Sequence, residues 1–309
     1  MRLSTLVSPA AFRFAAGLTL LVSALAFAAP GDLYVTSDAS NKVRRYDGSS
    51  GSFLSVFSIS GSSTGQMAIH FGATNNRVLI GHNAFGVEER DATTGALIKV
   101  YNPTGGWQWA GLYAPTGEVY IGDMLTNDVR AYDAITGAFI RVVCSVGMPA
   151  DMDFGPDGNL YVCSWLTSNV EIFDGVTGAP LGTIVLPVGA LPNDVAFHPI
   201  TNDIHVTSMN TNMGYRFDWT SHLINGVFVG TGWARPHGIV FSPINGRILV
   251  VDGVTGQVHE FAPNSLVETN AAFLVPAPGD KIVDLAFQPS GGPVHATPST
   301  WGRVKTLFR

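Results

Sequence analysis

Residues 151–185 read DMDFGPDGNLYVCSWLTSNVEIFDGVTGAPLGTIV, and the same phrase recurs along the chain with variations. Residues 117–143, GEVYIGDMLTNDVRAYDAITGAFIRVV, precede it, and residues 31–57, GDLYVTSDASNKVRRYDGSSGSFLSVF, form a third copy. Six copies, aligned on the tyrosine of LYV, stand 45, 41, 41, 44 and 44 residues apart, at Tyr34, Leu79, Tyr120, Tyr161, His205 and Leu249. A period of about 40–45 residues indicates a repeat architecture.

Each copy contains four short apolar or β-rich segments separated by turns of Gly, Asp, Asn and Pro. Proline presets a negative φ and glycine accepts a positive one, so links such as Pro-Asp-Gly suit tight reversals. The segments show no helical period of 3.6 residues. Each copy is therefore predicted to be a four-stranded antiparallel meander, and the chain an all-β propeller.

The two ends of the repeat region predict how the ring closes. The first copy starts at GDLYV (31–35) with no preceding first strand, whereas KIVDLAFQPSG (281–291) is a first strand without a blade of its own. Placing this C-terminal strand in the first blade leaves no unpaired edge. This arrangement gives six blades. The alternative is seven blades, the last one built from GPVHAT (292–297) and RVKTLF (303–308).

The N-terminal segment has the features of a secretion signal. Basic residues precede the apolar run FAAGLTLLVSALAFAAP (14–30), and Ala26-Phe27-Ala28 fits the A-x-A pattern of a signal-peptide cleavage site. We predict a signal peptide at residues 1–28, a propeller domain at 29–291 and a C-terminal tail at 292–309. The protein is then secreted or periplasmic and has no transmembrane segment in its mature chain; an uncleaved N-terminal anchor is the alternative.

The composition of the mature chain restricts its partners. Removal of the signal leaves 15 Lys and Arg against 23 Asp and Glu, a formal charge of −8. Because phosphate binding needs clustered basic residues, we expect no nucleic-acid partner, and we expect a monomer. The two cysteines, Cys144 and Cys163, could form a disulfide, but they fall on different strand positions of neighbouring copies, which favours two buried free thiols.

The innermost strands of a propeller line its axis, so candidate site residues are found by position. The residue three before each inner-strand aromatic is here called the axial position, with members Ala68, Ala110, Asp151, Asp194, Gly238 and Asp284. The preceding residue is called the mouth position, with members Met67, Trp109, Ala150, Asn193, His237 and Val283. Asp252 ends a second strand nearby.

Two interpretations of these polar residues remain open. Their oxygens could bind a divalent cation such as Ca²⁺, with His237 as a general acid or base beside them; the proposed metal ligands are Asp151, Asn193, Asp194, Asp252 and Asp284. Alternatively, each aspartate accepts hydrogen bonds from backbone amides and fixes the packing of the blades. A third set of residues is predicted to bind a ligand: Trp109, Trp165 and Phe85 on the rim loops, and His70 on an inner strand that lines the channel.

The blocks FGPDGNLYVCS (154–164), SNVEIFD (168–174) and NKVRRYD (41–47) resemble NHL-repeat six-bladed propellers. The resemblance covers about residues 31–290 and implies the fold. It leaves the function open, because this superfamily includes binding modules, lyases, lactonases and amidating enzymes.

Two local resemblances point toward enzymes. RPHGIVFSPINGRILVVD (235–252) resembles the Pro-His-Gly signature of virginiamycin B lyase, which implies that His237 lines the central site. LPNDVAFHP (191–199) and ILVVDG (248–253) resemble the metal-ligand blades of the gluconolactonase/senescence-marker family, which implies Asn193 and Asp252 as ligands. The glutamate that this family places early in its first blade has no match in this chain.

The sequence contains no phosphate-loop or HExxH motif. We therefore expect an exported binding or scaffold module that holds a peptide, glycan or protein partner at its loop rim. The alternative is a metal-assisted lyase or lactone hydrolase with its site on the axis.

Overall fold

A computed structural model of the chain describes residues 31–61, 65–73, 75–102 and 106–289. The predicted signal peptide (1–28) and C-terminal tail (292–309) lie outside these residues. The described part forms 24 strands in six four-stranded sheets. It contains no helix that is long and apolar enough to cross a membrane.

The strands follow the chain blade by blade. Blade 1 contains β1 (Leu33–Ser37), β2 (Lys42–Tyr46) and β3 (Phe53–Ile59). Blade 2 contains β4 (Gln66–Phe71), β5 (Arg77–His82), β6 (Val87–Asp91) and β7 (Leu97–Tyr101). Blade 3 contains β8 (Ala110–Tyr113), β9 (Glu118–Asp123), β10 (Asp128–Asp133) and β11 (Phe139–Ser145).

The second half of the ring repeats this order. Blade 4 contains β12 (Pro149–Phe154), β13 (Leu160–Ser164), β14 (Asn169–Phe173) and β15 (Pro180–Val185). Blade 5 contains β16 (Pro192–Phe197), β17 (Ile204–Ser208), β18 (Met213–Phe217) and β19 (Ile224–Phe228). Blade 6 contains β20 (Pro236–Phe241), β21 (Ile248–Asp252), β22 (Val258–Phe261) and β23 (Glu268–Leu274).

The last strand, β24 (Ile282–Phe287), closes the ring as predicted. It pairs antiparallel with β1, Leu33 facing Phe287 and Val35 facing Leu285, and becomes the innermost strand of blade 1. The six-bladed propeller predicted from the repeat is thus confirmed.

The repeated aromatic residues pack between neighbouring blades. Tyr34 of blade 1 meets Phe71 of blade 2 edge to face, with 4.9 Å between ring centroids. Tyr161 of blade 4 meets Phe197 of blade 5 in the same way, also at 4.9 Å. Both tyrosines are buried, and such pairs are worth about 0.5–1.5 kcal/mol beyond their buried area. The repeated tyrosine therefore belongs to the core between blades.

The aspartate that ends the third strand of a blade caps the following turn, as predicted. The Oδ1 atom of Asp133 accepts the N–H groups of Ile135 at 3.0 Å and Thr136 at 2.6 Å. The same pattern recurs at four more positions, Asp47, Asp91, Asp174 and Asp218. Cys144 and Cys163 are buried free thiols, which also agrees with the prediction.

Candidate functional site

A β-bulge in the innermost strands decides which side chains reach the axis. In β12, Pro149 pairs with Ser164 and Met152 pairs with Val162, so Ala150 and Asp151 together face one residue of β13. Strands β16 and β20 shift register in the same way, at residues 193–194 and 237–238. Bulges re-aim side chains. The axial and mouth positions are therefore the two residues of each bulge.

Three of the axial positions bring carboxylates together. Asp151, Asp194 and Asp284 come from blades 4, 5 and 1, and each offers an oxygen within 4.8 Å of the others. All three side chains are buried. An axial cavity of about 170 Å³ is lined by Asp194, Asp284, His70 and Asp153 among apolar residues.

Two of these carboxylates bind the backbone of the next blade. The Oδ2 atom of Asp194 accepts the N–H of Ile239 in blade 6 at 2.7 Å. The Oδ2 atom of Asp284 accepts the N–H of Ile69 in blade 2 at 2.8 Å. Each bond joins two innermost strands that have no ladder between them, so these aspartates hold adjacent blades together.

The third carboxylate pairs with a histidine across the axis. His70 Nε2 lies 3.1 Å from Asp151 Oδ1. Burial lowers the pKa of His70, but the charges of Asp151, Asp284 and Asp153 outweigh this effect and raise it to about 9. Imidazolium is therefore the dominant form of His70 at neutral pH.

Burial and mutual repulsion raise the pKa of three carboxylates on the axis. Burial and the neighbouring Asp151 charge raise the pKa of Asp284 to about 8, and burial with the Asp151 and Asp284 charges raises the pKa of Asp194 well above its usual range. Burial also raises the pKa of Asp153 to about 6. The group therefore carries less negative charge at neutral pH than its number of carboxylates suggests.

Glycine at the axial position of blade 6 makes room for this cluster. A Cβ atom on Gly238 would lie 2.9 Å from the Cα of Asp284 and closer still to its Oδ1. Gly238 does not adopt a positive φ, so space rather than backbone conformation requires glycine here.

A second cavity, here called the mouth cavity, opens where the chain enters the innermost strands. Its volume is about 330 Å³. The residues that line it lie at the starts of inner strands or just after second strands: Asp38, Met67, Asn83, Trp109, Trp165, Met209, Arg235, His237, Gly253, Val254 and Lys281. This is the loop rim predicted to carry the ligand.

Trp109 and Trp165 meet in the mouth cavity. Their rings, from blades 3 and 4, pack edge to face with centroids 4.9 Å apart. The indole N–H of Trp109 donates to Asn83 Oδ1 at 2.6 Å. The indole nitrogen of Trp165 is buried and has no acceptor within the described part of the chain. A water molecule or a ligand atom could accept a hydrogen bond from this group.

His237 faces the same cavity from blade 6. Burial, together with the charges of Lys281 and Arg235, lowers its pKa to about 4. Its imidazole is therefore neutral at physiological pH and has one ring nitrogen free to accept a hydrogen bond or a proton.

The remaining predicted residues lie elsewhere or lack a partner. Asp252 is not among the clustered carboxylates; its oxygens accept the N–H of Val254 at 2.9 Å and the hydroxyl of Thr255 at 2.6 Å, so it caps a turn. Asn193 is buried beside Asp194, and its Oδ1 has no donor among the described residues. Phe85 packs on the buried His82, 5.8 Å between centroids, and does not line the mouth cavity.

Sequence reasoning missed several charged residues of these cavities, among them Asp153, Arg235 and Lys281. Asp153 lies two residues after an axial position, where the strand period of two returns a side chain to the axis. Arg235 and Lys281 stand just before inner strands, so they belong to the loops that form the rim. Their positions in the repeat would have identified all three.

Comparisons with known proteins support the fold. No protein-family model and no curated protein sequence matches the chain. A Bacteroides caccae protein of unknown function has a similar structure, with a TM-score of 0.64, 14% identity and coverage of 83% of this chain and 98% of that one. A streptogramin B lyase gives a TM-score of 0.62 at 14% identity, covering 84% and 85%. A chain of the nidogen/laminin complex gives 0.68 at 14%, covering 82% and 97%.

Proposed function

We propose that this chain is an exported binding module that holds its ligand in the mouth cavity. The observation that carries the proposal is the convergence of Trp109 and Trp165 on this cavity, with the buried indole N–H of Trp165 lacking an acceptor among the described residues. An apolar, aromatic wall with a few polar groups is the usual construction of a small-ligand site. The similar fold in a nidogen/laminin complex is consistent with a binding role.

The test is a ligand screen followed by matched tryptophan variants. Glycan and peptide arrays supply candidates, and titration calorimetry measures their affinities for the wild type, Trp109→Phe and Trp165→Phe. The control is Trp219→Phe, because Trp219 packs against Tyr161, with 6.1 Å between centroids, and does not line the mouth cavity.

We expect both rim variants to lower the affinity at least fivefold and the control to leave it unchanged. The Trp→Phe change removes contact area and the indole N–H donor, so it lowers the affinity only of a ligand that contacts these indoles. The proposal fails if neither array yields a ligand, or if all three variants bind like the wild type.

The alternative is a metal-assisted lyase or lactone hydrolase on the axis. What favours it is the cluster of Asp151, Asp194 and Asp284, since carboxylate oxygens are the donors that Ca²⁺ prefers, and the buried Asn193 Oδ1 could add an amide oxygen. What opposes it is that Asp194 and Asp284 already bind the backbone of neighbouring blades. Metal content of the purified mature protein separates the two functions.

A further inference from the structure

Building on the binding role proposed above, we propose that the mouth cavity recognises an acidic sugar, a pyranose ring that carries a carboxylate. The cavity of about 330 Å³ is at the small end of ligand sites and suits one compact unit rather than an extended peptide. Three features of its wall specify the chemistry: a free guanidinium, a weakly paired ammonium, and hydrogen-bond acceptors beside the indoles.

Arg235 supplies the principal recognition of the anion. Its side chain is exposed and has no carboxylate partner within the described residues. The backbone of Arg235 is held at φ 54°, a left-handed conformation that residues with a side chain seldom adopt. The N–H of Arg235 donates to Asn212 Oδ1 at 2.7 Å, and its carbonyl accepts the N–H of Gly253 at 3.1 Å. A guanidinium fixed at its base is suited to bidentate binding of a carboxylate.

Lys281 adds a second positive charge to the same wall. Its only carboxylate contact among the described residues is with Asp38, at 3.8 Å, and both side chains are more than one-third exposed. An exposed ion pair of this length contributes little, so the ammonium can turn toward a ligand without a large loss. The lowered pKa of His237, to which Lys281 and Arg235 contribute, is consistent with a positive potential in the cavity.

The acceptors in the wall favour a sugar over a simple aromatic acid. The neutral imidazole of His237 and the carboxylate of Asp38 can both accept hydrogen bonds from hydroxyl groups. The indoles of Trp109 and Trp165 offer the apolar surface that the C–H face of a pyranose ring covers. A hydroxylated ring with one carboxylate uses all of these groups.

The experiment compares two matched probes, an α-1,4-linked galacturonate trisaccharide and the neutral galactose trisaccharide, by titration calorimetry. Binding is measured for the wild type and Arg235→Gln. Arg247→Gln is the control, because Arg247 is half-buried, lies 3.6 Å from Glu260 and does not line the cavity. We expect the wild type to bind the acidic probe at least tenfold tighter than the neutral one. Arg235→Gln should remove that preference, and Arg247→Gln should keep it.

The outcomes separate this inference from the function on which it rests. Equal binding of both probes overturns the recognition of an anion and leaves the binding role intact. Binding of neither probe overturns the acidic sugar, and the array screen then decides the binding role independently. An acidic peptide that binds tighter than the trisaccharide, with the same loss in Arg235→Gln, overturns the sugar in favour of a peptide.

Discussion

Substituting Gly238 with alanine tests the geometry of the axial carboxylates. The new methyl group would lie 2.9 Å from the Cα of Asp284 and closer still to Oδ1. The Cα atom cannot retreat easily, because β24 carries Asp284 and is held in the ring by its ladder with β1. The carboxylate must rotate away, and its bond to the N–H of Ile69 then weakens.

The size of the loss follows from these two effects. Overpacking a well-filled site costs about 1–3 kcal/mol. Leaving the buried N–H of Ile69 unpaired costs about 1–3 kcal/mol more. We therefore expect the free energy of unfolding to fall by roughly 2–6 kcal/mol, and the melting temperature by about 2–4 °C for each kcal/mol.

Urea unfolding followed by tryptophan fluorescence measures this change. Gly182→Ala is the control, because Gly182 lies on the exposed strand β15 and an added methyl group would meet only open space there. Its free energy of unfolding should change by less than about 0.5 kcal/mol. If Gly238→Ala is as stable as this control, the carboxylates are not packed against blade 6 and the account of the cluster is wrong.

Three further predictions concern the axis and its surroundings. The melting temperature should fall from pH 7.5 to 9.5. In the folded protein the pKa of His70 is raised from 6.5 to about 9 and that of Asp284 from 3.8 to about 8, so both groups bind protons more tightly than in the unfolded chain. The stability that this proton binding adds is complete below the unfolded-state pKa values and is lost as the pH rises through the folded-state pKa values. Asp284→Asn should reduce that fall, and a flat wild-type profile would contradict it. Asp252→Ala should cost about 1–3 kcal/mol in urea unfolding, since Asp252 caps a turn; an unchanged free energy of unfolding would contradict that role. EDTA should leave the melting temperature unchanged, because Asp194 and Asp284 already bind backbone N–H groups; stoichiometric metal and a drop of several degrees would favour the enzyme.

The fold could be predicted from the sequence because each blade repeats the same local sequence pattern. The turn residues, the alternation of apolar residues and the aromatic residue between blades recur at nearly constant spacing. A correct assignment of the strands in one repeat therefore applies to all six. The closing strand was predictable for the same reason, since residues 281–291 match a first strand and have no blade of their own.

The sequence also contained the signal that explains Asp252. Residues 252–256 read DGVTG, identical to residues 174–178, where Asp174 caps its turn through the N–H groups of Val176 and Thr177. Comparing the two copies predicts a turn cap for Asp252, whereas its resemblance to a metal-ligand blade pointed to the axis. The contact between His70 and Asp151 could not be predicted in this way, because it joins blades 2 and 4 across the channel and depends on the diameter of the ring.

In blades 4, 5 and 6 the bulge places an axial residue beside a mouth residue, and across the ring the two positions differ in how far they repeat. The axial position repeats aspartate in three blades, and two of these aspartates make the same bond to the following blade. The mouth position carries six different residues in six blades: Met67, Trp109, Ala150, Asn193, His237 and Val283. A structural requirement of the fold is similar in each blade and favours the same residue type. A ligand on the axis contacts each blade with a different part of its surface and favours a different residue type in each. Three of these unlike residues, Met67, Trp109 and His237, line the mouth cavity, which is where we propose that a ligand is recognised.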